Sequence, residues 1–191
     1  MRKVLSLCLS LLGALILATA LGEGELVVIS EVMASNGTWV QSHAYDWVEL
    51  HNVSGKTLDL SGWMLSDSPK KPTKFVFPSG AKVKKDGYVL IYCTGDASLD
   101  PGKGSTFYAP FKLSASGDDV VLTDPDGVTH AHVTFGRQYG NISWGIPKGG
   151  GEYGYFPSAT PGKVNGNTVY PTRAETPVID TAGGMYNSQV T

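Results

Sequence analysis

The sequence predicts an all-β protein. Three observations carry that prediction. Helix-period patterning is nearly absent after residue 20, short apolar runs recur at close spacing, and clusters of Gly, Pro, Asn, Asp and Ser separate them. Strands joined by tight turns write such a pattern, because side chains alternate faces along a strand while these residues supply turn dihedrals and local hydrogen bonds.

The first 20 residues stand apart. Arg2 and Lys3 precede an apolar run from Val4 to Leu17, followed by Ala18-Thr19-Ala20. A basic start, an apolar middle and an A-x-A site predict a signal peptide over 1–20, cleaved after Ala20. The expected location is then secreted or cell-surface, with no membrane span after cleavage. An uncleaved anchor is the alternative, since the run is near the lower length limit for a span. Loss of Arg2 and Lys3 takes the formal net charge from −2 to about −4. That acidity argues against nucleic acid as a partner, which calls for a basic footprint. The one basic cluster, Lys70, Lys71, Lys74, Lys82, Lys84 and Lys85, reads as a solvated face. Cys8 leaves with the signal, so Cys93 has no partner for a bridge. Its apolar flank, Tyr88 to Tyr92, makes it a small buried residue.

The remaining length suits one domain of roughly 150 residues. Val27-Val28-Ile29 reads as the first strand and Trp47-Val48-Glu49-Leu50 as the second. Thr57 to Leu60 and Trp63 to Leu65 follow, broken by Ser61-Gly62. Phe75-Val76-Phe77 ends at Pro78, and Ala81-Lys82-Val83 leads through Asp86-Gly87 to a strand over Tyr88–Cys93. Gly95 to Ser105 is expected to be a long surface loop. Asp119–Thr123 and Thr129–Phe135 form a hairpin. Its turn, Asp124-Pro125-Asp126-Gly127, has Pro second and Gly fourth, the type I preference. In the second arm Val133 and Phe135 point inward, while His130 and His132 point out. Residues 136–160 are rich in Gly and aromatics and give no clear strand. Gly166 to Glu175 reads as a linker. Thr176–Thr191 resumes a strand-like pattern too short to bury a core, and is expected to open a second β module.

The stretch from Ala44 to Asp67 gathers Asp46, Glu49, His51, Asp59 and Asp67. Alternation puts Trp47, Glu49 and His51 on one face of their strand and Val48 and Leu50 on the other. Leu58 and Leu60 face inward on the next. The charged residues are therefore expected on the outward, off-core face, with Glu31, Asn36, Glu49 and Asn52 serving as structural groups that cap turns and bond loop backbone.

Taken in order, VISEVMASN, DWVELHNVSGKTLDLSGWMLSD, FVFPSG, DGYVLIYCTG, FKLSASGDDVVLTDPDG and YFPSATPGKVN resemble a lamin-tail domain, over about Leu26 to Asn165. The resemblance implies an immunoglobulin-like β-sandwich spanning 25–165, with Glu31, Glu49, Asn52 and Trp63 as framework positions. It further implies a non-catalytic accessory binding or scaffolding domain of an exported bacterial protein, with a protein or cell-envelope component as partner. The tail TPVIDTAGGMYNSQVT is similar to the opening of a chitobiase or β-hexosaminidase C-terminal module, through Pro177, Gly183, Gly184 and Tyr186. Modules in that series often precede a spore-coat-kinase-like domain, so a catalytic part is expected, if anywhere, beyond Thr191.

Sharper chemistry has less support. Hydrolysis by paired carboxylates needs two acids across a cleft, and the acids here sit singly at alternating strand positions. Zinc needs three or four convergent ligands, whereas only His130 and His132 are close in sequence. Asp118, Asp119, Asp124 and Asp126 lack the spacing of a calcium loop. No G-x-S-x-G elbow or phosphate loop occurs. The sequence therefore predicts no catalytic residue, metal or cofactor. Glycan binding remains an alternative, with Trp39 and Trp144, each beside polar loop residues, as the ligand contacts.

Overall fold

A computed structural model of the protein describes residues 26–37 and 44–174. The signal segment, Trp39, His43 and the second-module segment 176–191 lie outside the described residues. The described residues form thirteen strands: β1 (Val27–Met33), β2 (Asp46–Asn52), β3 (Leu58–Asp59), β4 (Met64–Ser66), β5 (Phe75–Val76), β6 (Lys82–Val83), β7 (Tyr88–Cys93), β8 (Gly102–Lys103), β9 (Thr106–Ala109), β10 (Asp118–Thr123), β11 (Thr129–Phe135), β12 (Ser143–Gly145) and β13 (Gly154–Phe156). A single 3-10 turn, Pro72–Lys74, is the helical element among the described residues. None of them forms a helix long and apolar enough to cross a membrane.

The strands form a β-sandwich of the immunoglobulin-like class. A seven-stranded sheet, ordered β13-β12-β1-β2-β7-β9-β8, faces a four-stranded sheet, β11-β10-β4-β5, and the β3-β6 ladder. Val27, Ile29, Val32, Val48, Leu50, Val89, Ile91 and Phe107 of the long sheet join Leu58, Leu60, Leu65, Phe75, Val120, Leu122, Val133 and Phe135 of the facing strands in one core. Val48, Leu50 and Leu60 are fully buried and Leu58 nearly so, on the inner faces that alternation assigns them. Trp63 lies in this core too. At roughly 1.5–3 kcal/mol per buried large aliphatic or aromatic side chain, this layer supplies most of the driving force for folding.

Strand limits agree with the sequence reading where the apolar or alternating run is long. β7 and β11 span the expected residues, and the Asp124 carbonyl accepts the Gly127 N–H at 3.0 Å in the hairpin turn. The loop expected from Gly95 to Ser105 instead contains β8, and β9 runs parallel to β7, pairing Leu90 with Thr106 and Cys93 with Ala109. A parallel neighbour leaves no hairpin signature, because a crossover and not a turn connects it. β12 and β13 emerge from the Gly-rich region, with Tyr155 and Tyr170 forming one further bridge at the sheet edge. Cys93 is buried, and burial pushes its thiol well above the usual range.

β1 carries a bulge. Ile29 pairs with Leu50 but Glu31 pairs with Glu49, leaving Ser30 as the extra residue. A bulge flips the alternation that follows it. Val32 consequently returns to the core while Glu31 and Met33 move to the outer face. There Met33, Trp47, Leu90 and Tyr92 form a second buried cluster, packed against by Tyr108 and Ala159. The outer face of the long sheet is therefore not wet, which corrects the expectation that the off-core side of β2 faces solvent.

β12 reaches β1 through Gly145, the partner of Glu31. A side chain at Gly145 would collide with the Ser30 carbonyl and the Glu31 Cα, both backbone atoms. Gly145→Ala is expected to pry β12 from β1 at a cost above about 2 kcal/mol, read as a lower urea midpoint and as faster amide exchange throughout β12 and β13.

Candidate functional site

Asp59 is exposed, as alternation predicts, but Glu49 is not at the surface and neither is Glu31. Glu31 and Glu49 face each other across β1 and β2, and both are 0 % exposed. Residues after β13 cover them. Thr160-Pro161-Gly162-Lys163 makes a turn, with the Lys163 N–H donating to the Thr160 carbonyl at 3.0 Å and Gly162 at φ 75°. Pro second and Gly third, with φ positive at the third, is the type II arrangement. The turn leaves the Gly162 N–H free to donate outward, and it reaches Glu49 Oε2 at 2.5 Å. Its neighbour Thr160 donates its N–H to both Glu31 carboxyl oxygens, at 3.2 and 3.1 Å. The Ser143 hydroxyl donates to Glu31 Oε1. Asn165 pins the end of the segment by donating its amide to the Ser30 and Ile146 carbonyls, each at 2.8 Å.

Two hydroxyls at this site can reverse their polarity. Thr160 Oγ1 lies 3.1 Å from Glu31 Oε2 and 2.8 Å from Asn165 Oδ1, which is an acceptor because Nδ2 serves the two carbonyls. Ser30 Oγ lies 2.7 Å from Glu49 Oε1 and 3.3 Å from the Glu49 carbonyl. A hydroxyl has one hydrogen. Given to Asn165 or to the backbone, it leaves each hydroxyl oxygen free to accept from a protonated acid. Each carboxyl can thus be held with or without its proton. Burial raises the pKa of both acids. Glu31 rises against the opposing bonds of Ser143 and Thr160, and Glu49 rises to about 8 against Ser30 and Gly162, with Glu31 adding to the rise. Desolvation disfavours the charged form and the facing acid does so again.

The other sequence-chosen residues lie elsewhere. Asn52 is fully buried, donating to the Lys56, Val83 and Lys84 carbonyls and accepting the Ser54 N–H and hydroxyl. It ties the turn after β2 to the one before β7. Asn36 donates its amide to the Tyr45 carbonyl at 2.7 Å, and its N–H bonds Asp46. Trp63 is 7 % exposed, under the His130 ring at 4.5 Å between centroids. Trp144 is half-buried, stacked on Tyr153 at 4.6 Å with Phe135 at 6.0 Å. Trp39 lies outside the described residues.

The histidines do not converge. His130 bonds Asp124 and His132 bonds Asp119, each at 2.8 Å. His130 does not point freely outward as expected. The register shift between Leu122 and Thr123 skips it, and it settles over Trp63. Asp118 accepts the Ser114 and Asp119 N–H groups, and Asp124 those of Asp126 and Val128. Among the described residues no three His, Cys, Asp or Glu side chains come together as a metal site. Of the lysine cluster, Lys74 pairs with Asp67 and Lys82 with Asp59, and all six are exposed. A groove of about 220 Å³ beside the acid pair is lined by Val28, His51, Tyr88, Pro147, Lys148 and Val164. His51 stacks flat on Tyr88 there at 4.3 Å.

Sequence reasoning passed over Ser30, Ser143, Thr160, Gly162 and Asn165. The TPGK turn could have been read from Pro and Gly spacing, but its acceptor could not.

The pKa shift has a definite sign. An acid whose folded pKa lies above its ordinary 4.5 binds its proton more tightly in the folded state. Its contribution is fully present below about 4.5 and is lost as pH rises through about 8. Gln at position 49 imitates the protonated acid, donating to Ser30 and accepting from Gly162. Glu49→Gln is expected to melt above the parent at pH 8.5, the gap closing towards pH 5. Glu49→Ala, which orphans the Gly162 N–H, is expected to lose about 1–3 kcal/mol at both. Thermal melts across the pH series check both.

The family model described as Lamin Tail Domain matches residues 23–137. No curated protein matches the chain. The match covers β1 to β11 and ends before the strands and turn that seal the acid pair. It spans more than half of the 191 residues and agrees with the sandwich described above; the chain belongs to the lamin tail domain family.

Proposed function

We propose that this chain is a non-catalytic binding or scaffolding unit of an exported bacterial protein, with a protein or a cell-envelope component as its partner. The observation that carries the reading is the use made of Glu31 and Glu49. Both acids are fully buried and bonded to hydroxyls and backbone N–H groups of the closing segment. Neither carboxyl is open to solvent, and their bonds hold the outer layer in place. The immunoglobulin-like lamin-tail fold is consistent with binding without chemistry. Fold alone does not assign function, and here the spent acids point the same way as the fold.

Export rests on the Arg2-Lys3 start, the apolar run and Ala18-Thr19-Ala20. A chitobiase-type module opening at Thr176, and a spore-coat-kinase-like domain after it, rest on the likeness of TPVIDTAGGMYNSQVT alone.

Two measurements test the reading. The full chain is expected to show no turnover of glycoside, ester or phosphoryl-transfer substrates, and to sediment with bacterial envelope fragments. Robust turnover that vanishes in Glu49→Gln would overturn it.

A further inference from the structure

The chain folds back on the sheet edge after β13. Tyr155 and Tyr170 exchange both backbone hydrogen bonds, at 2.8 and 3.0 Å. The Tyr139 ring meets Tyr155 edge to face, with centroids 5.5 Å apart. Two guanidinium groups sit at Tyr139, Arg173 at 5.0 Å from the ring centroid and Arg137 at 5.9 Å. The Tyr155 hydroxyl donates to the Arg137 carbonyl at 2.6 Å and so fixes the loop that carries it. Tyr139, Ile142, Tyr155, Tyr170 and Arg173 line a cleft of about 270 Å³, and among the described residues no acidic side chain lines it. Tyr170 is 52 % exposed. Neither arginine has an ion-pair partner among the described residues.

These features select a ligand class. A guanidinium stacked on a ring keeps its N–H edge available for a carboxylate, which it binds through two parallel hydrogen bonds. Tyrosine faces offer flat apolar platforms with a polar tip. A few placed polar groups around an aromatic floor are the usual makeup of a small-ligand site. A strand-forming peptide finds no free backbone at Tyr155, because Tyr170 already occupies it. A nucleic acid needs a run of cations along its phosphates, and the lysine cluster does not line this cleft.

We propose that the cleft binds an acidic polysaccharide, a uronate ring stacking on Tyr170 with its carboxylate held by Arg173. This rests on the binding-module reading and supplies its ligand class. It places the contact on residues other than Trp39 and Trp144.

The test uses the full chain in affinity electrophoresis through gels containing polygalacturonate, its methyl ester, polyglutamate or a single-stranded oligonucleotide. Polygalacturonate is expected to retard the chain, the neutral ester not. Tyr170→Ala and Arg173→Ala are each expected to weaken retardation about tenfold, and Arg173→Lys to restore part of it. Both residues are exposed, so melting temperatures should match the parent. No retardation by polygalacturonate, equal retardation by polyglutamate or the oligonucleotide, or unchanged retardation of the variants would overturn the proposal. If uronate binding fails while the chain still sediments with envelope fragments, the ligand class falls and the binding reading stands. If sedimentation fails as well, both fall.

Discussion

Two carboxyl groups brought face to face in a dry layer constrain most of the long sheet. The bulge at Ser30 puts Glu31 on the same side as Glu49, where plain alternation would have sent it into the core. Once there, neither acid can be left bare. An unpaired buried charge costs several kcal/mol, and an unbonded polar group a sizeable share of that. The residues that meet this demand come from far along the chain. Ser143 is 112 positions from Glu31, Thr160 is 129, and Gly162 is 113 from Glu49. The need to satisfy the pair thus accounts for why β12 and β13 dock beside β1 and why the TPGK turn lies over the sheet.

This gives the long sheet two covered faces. Its inner side joins the sandwich core, and its outer side carries Met33, Trp47, Leu90 and Tyr92 beside the acids. Every residue of β1 is buried, as are five of the six in β7. Strands covered on both faces read as continuous apolar runs, and YVLIYC is such a run. β11, by contrast, buries Val133 and Phe135 while Thr129, His132 and Thr134 stay exposed. The contrast separates a central layer from an outer one. It also explains why polar groups in β1 and β2 are spent on internal bonds while those of β11 pair with Asp119 and Asp124 at the surface.

Much of the sandwich was legible from residue order. The ends of β7 and β11, the type I turn at Asp124, and the inward set of Val48, Leu50, Leu58 and Leu60 follow from alternation and turn chemistry. β9 was not legible, since four residues beside a Gly-rich loop acquire strand character from the parallel neighbour β7 and the two-residue β8. The acid pair was half legible. Alternation correctly assigned Glu49 to the off-core face of β2, but the inference that this face meets water failed, because a covering segment leaves no mark on the strand it covers.

Residue order therefore settled what depends on near neighbours: which face a side chain takes along an unbroken strand, where a turn reverses the chain, and which aliphatics gather between two sheets. Those properties arise within a few residues, through sterics and period-two geometry. The bulge register that pairs Glu31 with Glu49, the raised affinity of these acids for protons, and the Tyr139–Tyr155–Tyr170 cleft came only with the folded chain. Each depends on atoms more than a dozen residues apart in sequence, and no local pattern encodes what a distant segment will place on top of a strand.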